Sequence, residues 1–221
     1  MKKLIIAISF ITLIQAQSQT ISNRSKIGST VTLVGGVNMS NVEFNQDMSD
    51  NFDLNYKLGL NIGLEKTFHF KSLNSLKVGG AFIQRGFDSV FTVWDQGIVG
   101  GIIEFSTSYE ATFEYICTYA LYDLNWGVPK LDKYLPIFVG LELGVPMGGK
   151  AKSSNGEESI EADDLNSDYG IVLGADYIIN SQVGIRVSYY KGLNDVVAAG
   201  AGEEGSNYKS KSLVFNILYN L

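Results

Sequence analysis

The most constraining feature of this chain is a strict two-residue alternation over residues 52–65. Phe52, Leu54, Tyr56, Leu58, Leu60, Ile62 and Leu64 share one parity; Asp53, Asn55, Lys57, Gly59, Asn61, Gly63 and Glu65 share the other. A β-strand sends successive side chains to opposite faces, so as a strand this segment has one apolar and one polar face. As a helix it would have no coherent face at all. Seven further segments alternate in the same way, at residues 30–40, 76–85, 113–125, 137–145, 169–179, 183–190 and 213–221. In the 113–125 segment Phe113, Tyr115, Cys117, Tyr119 and Leu121 take the apolar parity, whereas in 76–85 Ile83 falls on the polar one.

Eight such segments, each near the roughly 9–11 residues a tilted strand needs to cross a bilayer, predict an even-numbered antiparallel set. The connections alternate too. Those at 67–75, 126–136 and 180–182 are short, while those at 41–51, 86–112, 146–168 and 191–212 are mostly longer and polar or Gly-rich. Transmembrane barrels have short periplasmic turns and long external loops. The pattern therefore predicts an all-β fold, an eight-stranded antiparallel up-and-down transmembrane β-barrel with both termini periplasmic. The many Gly, Tyr and Phe residues fit this class, and past residue 18 no apolar run is long enough for a spanning helix.

The polar face decides which way the apolar face points. It carries Lys57, Glu65, Lys77, Arg85, Glu142, Asp176 and Arg186 among glycines. An eight-stranded barrel is only wide enough inside for side chains to fill it, so charges of both signs there are expected to pair as a lumen network. The apolar face then meets outer-membrane lipid, with Phe52, Phe68, Phe113, Tyr134, Tyr169, Tyr177 and Tyr219 as interfacial aromatics. The inverse arrangement, a soluble lipocalin-like ligand-binding barrel, has to crowd the large apolar side chains into one small lumen.

Residues 1–18 read as a signal peptide: Lys2 and Lys3, an apolar run from Leu4 to Ile14, then small residues at Ala16 and Ser18. The barrel domain is expected at 19–221. Removal of Lys2 and Lys3 takes the net charge from −6 to −8. An acidic chain with no basic cluster offers no electrostatic footing for nucleic acid. A single cysteine, Cys117, precludes an internal disulfide and reads as a small apolar packing residue.

Several short motifs carry a resemblance. They are Gly35-Gly36-Val37-Asn38-Met39-Ser40, Phe113-Glu114-Tyr115-Ile116, Gly170-Ile171-Val172-Leu173-Gly174-Ala175, and the stretch from Arg186 to Asp195. On these the chain resembles the small outer-membrane β-barrel domain family that includes PorT-like proteins. It departs at Cys117, where a Pro is expected, and at Leu221, where an aromatic is usual. The resemblance implies fold and location more than activity.

The remaining candidates favour structural roles. His69, the only histidine, lies in a short turn without a Ser-His-acid arrangement. Glu157, Glu158, Glu161, Asp163, Asp164 and Asp168 crowd the fifth connection, but without the spacing of a calcium loop. The apolar third connection reads as a hairpin continuing beyond the membrane, or as a strand edge that recruits a partner. No helix follows the Gly pairs, so they do not form phosphate loops. No catalytic residue, metal or cofactor is therefore expected. The function expected is a non-catalytic barrel whose external loops meet a protein or surface glycan, with a narrow channel for small solutes as the alternative.

Overall fold

The computed structural model describes residues 28–44, 52–70, 74–96, 102–126, 135–154, 156–196 and 208–221. The signal-peptide expectation and Tyr134 lie outside these residues. Among the described residues nine strands are formed: β1 (Ser29–Phe44), β2 (Phe52–His69), β3 (Ser75–Gln96), β4 (Ile102–Trp126), β5 (Leu135–Ser153), β6 (Gly156–Ile160), β7 (Asp168–Ile178), β8 (Val183–Gly192) and β9 (Tyr208–Asn220). All pairings are antiparallel. β1 through β5, then β7, β8 and β9, pair in chain order, and β9 returns to β1. The eight segments predicted from periodicity thus close into one ring. A closed ring satisfies the backbone groups that an open sheet edge would leave bare in lipid.

The strands outrun their sequence signals at one end. β3 and β4 remain paired from Ser75↔Asp123 out to Gln96↔Ile102, so the third connection is the continuing hairpin. The fifth connection, expected as a long polar external loop, is partly strand. β5 runs on along the extended edge of β4 to Ser153, then turns back through Gly156 (φ +138°) into β6. Gly148 (φ +125°), at the register shift between Tyr115↔Pro146 and Glu114↔Gly148, takes a backbone conformation that side chains disfavour. β4 supplies a template of unpaired backbone groups, and β5 satisfies them.

β2 bulges between Tyr56 and Asn61, where its register with β3 shifts. Side chains of β1 reach past it to the orphaned β3 backbone. Asn38 Nδ2 donates to the Gln84 carbonyl at 2.8 Å, and the Ser40 hydroxyl accepts from Gly86 N–H at 2.8 Å and donates to its carbonyl at 3.0 Å. A β-carbon at Gly59 would overlap the Gln84 carbonyl, so glycine is required at this crossing.

The apolar parity points outward on seven of the ring strands. Leu58, Leu141 and Ile217 are 70%, 64% and 63% exposed, and Leu33, Val139, Leu173 and Ile185 stand beside them in the same belt. A soluble barrel would leave this whole belt bare to water, which overturns the lipocalin-like arrangement. β4 is the exception. Phe113, Tyr115, Cys117, Tyr119 and Leu121 are buried inside, and Ile116, Tyr122 and Leu124 face out. Phe113 is accordingly not an interfacial aromatic, whereas Phe68, Tyr169, Tyr177 and Tyr219 are exposed. No helix among the described residues is long and apolar enough to cross a membrane.

Candidate functional site: the barrel interior

The interior divides into two halves of opposite chemistry. The half nearer the short turns is ionic. Lys77 on β3 donates to Asp123 on β4 at 2.5 Å and, across the lumen, to Asp176 on β7 at 2.7 Å. Arg186 on β8 forks onto two carboxylates. Its Nε and Nη2 meet Asp176 at 2.7 and 2.9 Å, and its Nη1 and Nη2 meet Glu65 on β2 at 2.6 and 3.1 Å. Four of the five guanidinium N–H donors can be assigned this way, a geometry that a lysine cannot reproduce. Both cations also lie near the face of Phe138, at 5.0 and 5.1 Å from its centroid.

A second cluster sits further along the barrel. Arg85 on β3 pairs with Glu142 on β5, and its Nη1 donates to Asp168 on β7 at 2.7 Å. Asp168 also accepts from the Tyr190 hydroxyl and the Ser210 hydroxyl, each at 2.6 Å. The Arg85 guanidinium stacks 3.7 Å from the Tyr190 ring centroid. Between them the two clusters bring together side chains of every ring strand but β1. Six residues of the expected lumen set (Glu65, Lys77, Arg85, Glu142, Asp176 and Arg186) are buried here.

The seventh, Lys57, is not among them. At the β2 bulge its ammonium pairs with Glu110 and lies 3.8 Å from Asp88, both half exposed on the extended β3–β4 hairpin. The bulge displaces the side chain from the inward direction that strict alternation assigns it. Two acids were missed. Asp123 lies on a segment read for its aromatics, and Asp168 was counted with the acidic fifth connection but is wholly buried at the start of β7. Of that connection, Glu157 and Glu158 lie on exposed β6, where Lys150 donates to Glu157 at 2.9 Å and holds its carboxyl below the usual range. No cluster of metal-ligating residues occurs among the described residues.

Beyond Asp168 the interior turns apolar. Phe87 packs against Tyr109, Phe113 and Tyr208 with ring centroids 6.0, 6.2 and 5.8 Å apart, backed by Val42 and Ala111. Leu165 and Val196, from the fifth and seventh connections, are buried over this cluster. Those connections are tied to each other: Asn166 N–H donates to the Val196 carbonyl at 2.8 Å, and Leu193 N–H to the Tyr169 carbonyl at 2.8 Å.

Inward glycines make room for this filling. A β-carbon at Gly79 would collide with the Tyr119 ring, one at Gly174 with Phe138, and one at Gly170 with Tyr190. Each ring thus lies over a glycine of the neighbouring strand, because the lumen cannot hold two side chains at that level. Two spaces remain. A cavity of about 30 Å³ is lined by Asn61, Tyr119, Glu142 and Arg186, with room for one or two waters beside the unpaired Asn61 Oδ1 and Tyr119 hydroxyl. A vestibule of about 190 Å³ at the short-turn end is lined by Thr32, Glu65, Thr67, Lys77, Asp123 and Asp176.

His69 and Ser75 also line that vestibule. The Ser75 hydroxyl donates to Asp123, however, and His69 Nε2 lies 3.4 Å from Thr30 Oγ1. This is the wrong order for a serine activated by a histidine.

No curated protein matches this chain. The chain is similar to three solved structures. Neisserial surface protein A shares 10% identity over 88% of this chain and 99% of that one, with a TM-score of 0.49. Ail of Yersinia pestis shares 15% over 89% and 100%, TM-score 0.41. Outer membrane protein W of E. coli shares 13% over 88% and 99%, TM-score 0.39. The family model for the outer membrane protein beta-barrel domain matches residues 15–198. With its ring of eight strands and its outward apolar belt, the chain belongs to the outer membrane protein beta-barrel domain family and resides in the outer membrane.

Proposed function

We propose that this protein is a sealed, non-catalytic outer-membrane barrel with its termini in the periplasm, whose external strand extensions engage a protein or surface-glycan partner. The observation that carries this reading is the filled lumen. Arg186 and Arg85 each join strands across the barrel, and the Phe87 cluster occupies the opposite half. A path for solutes would have to break buried ion pairs on one side and an aromatic core on the other. The partner role is supported by β6, a short exposed strand at the end of the sheet order whose outer edge is unpaired. Such an edge accepts another strand. The non-catalytic part is supported by the hydrogen bonds of Ser75 and His69.

Neutralising Glu142 or Arg186 separates this reading from the narrow-channel alternative. A structural lock predicts that Glu142→Gln and Arg186→Gln lower the stability of the folded barrel and leave cell permeability to small solutes unchanged. Altered permeability at wild-type stability would instead establish a conducting path.

A further inference from the structure

Just past one edge of the apolar belt, β8 and β9 carry a compact cationic patch. The outward parity of β8 runs Val183, Ile185, Val187, Tyr189 and then Lys191; that of β9 runs Ile217, Phe215, Leu213 and then Lys211 and Lys209. Lys191 lies directly opposite Lys211 in the β8–β9 ladder, and Lys209 directly opposite Glu43 in the β1–β9 ladder. Opposed side chains on one face stand about 5 Å apart at Cβ. Residues two apart along a strand stand about 7 Å apart. The three ammonium groups can therefore converge on one phosphate-sized anion.

The patch is undercompensated. Lys191 Nζ lies 3.6 Å from Glu43, both half exposed, and among the described residues neither Lys209 nor Lys211 forms an ion pair. Among the described residues three cations face one carboxylate, and two of the cations oppose each other across the ladder, which is destabilising unless an anion lies between them. The patch is also one-sided. Among the described residues the outer-face cations on the other side stand beside acids: Lys57 beside Asp88 and Glu110, Lys150 beside Glu157, and Lys152 opposite Glu110 and Glu157. A general attraction to an anionic surface would not need this asymmetry; a discrete headgroup site would.

We infer that Lys191, Lys209 and Lys211 bind the phosphate groups of a phosphorylated outer-leaflet glycolipid, whose acyl chains lie on Tyr189, Leu213 and the belt below. The leaflet follows from the reading that the long connections face outward. Native mass spectrometry of the detergent-folded barrel, with diphosphorylated lipid A as probe, tests the site. At roughly fivefold per lysine, Lys209→Gln with Lys211→Gln is expected to weaken binding about 25-fold. The corresponding double Arg variant should retain it, and heat-modifiable gel migration identifies the variants that fold. Equal binding by wild type and the folded Gln variant, or equal binding of dephosphorylated lipid A, would overturn the site. Inorganic phosphate competing as effectively as the lipid would overturn its assignment to a lipid. A Ser159→Cys variant, on exposed β6, should react with a membrane-impermeant thiol reagent on intact cells, with buried Cys117 silent. Labelling only after permeabilisation would overturn the leaflet, while leaving the lipid-binding measurement to stand or fall separately.

Discussion

Arg186 is the residue on which the interior most depends. It compensates Glu65 and Asp176 at once, and Asp176 also holds Lys77, so one guanidinium links four strands. Removing one partner of a buried ion pair leaves the other charge unsatisfied in a poorly hydrated space. Arg186→Met should therefore cost about 3–5 kcal/mol, read as a lowered denaturant midpoint of the folded barrel. Arg186→Lys should recover only part of this, since an ammonium cannot fork onto two carboxylates. A change within about 0.5 kcal/mol, typical of an exposed surface substitution, would show that the pairs are not buried as described. Gly79→Leu tests the packing of rings over glycines. The added side chain must displace Tyr119, at about 1–3 kcal/mol for overpacking, again seen in the midpoint. The charged residues were legible because a charge on the polar parity of an eight-stranded barrel has only the lumen to enter. Their partners were not. Lys77 and Asp176 are 99 positions apart, and only closure of the ring brings β3 and β7 face to face across it.

Strand positions read directly from alternation, because parity is a local property that survives folding. The inward direction of β4 did not. Its two faces carry Phe113, Tyr115, Tyr119 and Leu121 on one side and Ile116, Tyr122 and Leu124 on the other, so hydrophobicity alone gave no contrast. The cue lay in the neighbours: inward Gly79 and Gly144 leave space that only rings from β4 fill. The β5 extension and β6 escaped detection for a different reason. They depend on hydrogen bonding to an adjacent edge rather than on their own amphipathicity. The β2 bulge gives a prediction at this scale. Asn38→Leu together with Ser40→Ala would orphan the Gln84 carbonyl and both backbone groups of Gly86. Each unsatisfied buried group costs about 1–3 kcal/mol. Amide hydrogen exchange should accelerate at Gly86, while Gly79, whose strand keeps its regular pairing to β2, stays protected. Unchanged protection at Gly86 would mean that β2 supplies those bonds itself.

For the whole molecule, the two halves of the interior close the barrel by different means. The ionic half joins strands through buried paired charges beside the vestibule; the aromatic half is covered by the connections carrying Leu165 and Val196. In the proposed reading either half alone obstructs the lumen, and the external surface, not the interior, makes contacts. Conductance of the purified, folded barrel in planar bilayers tests this most directly. Sealed barrels should give no steady single-channel steps across the accessible voltage range, with or without Arg186→Gln, because the Phe87 cluster remains in place. Large, stable conductance from the wild-type protein would contradict the account.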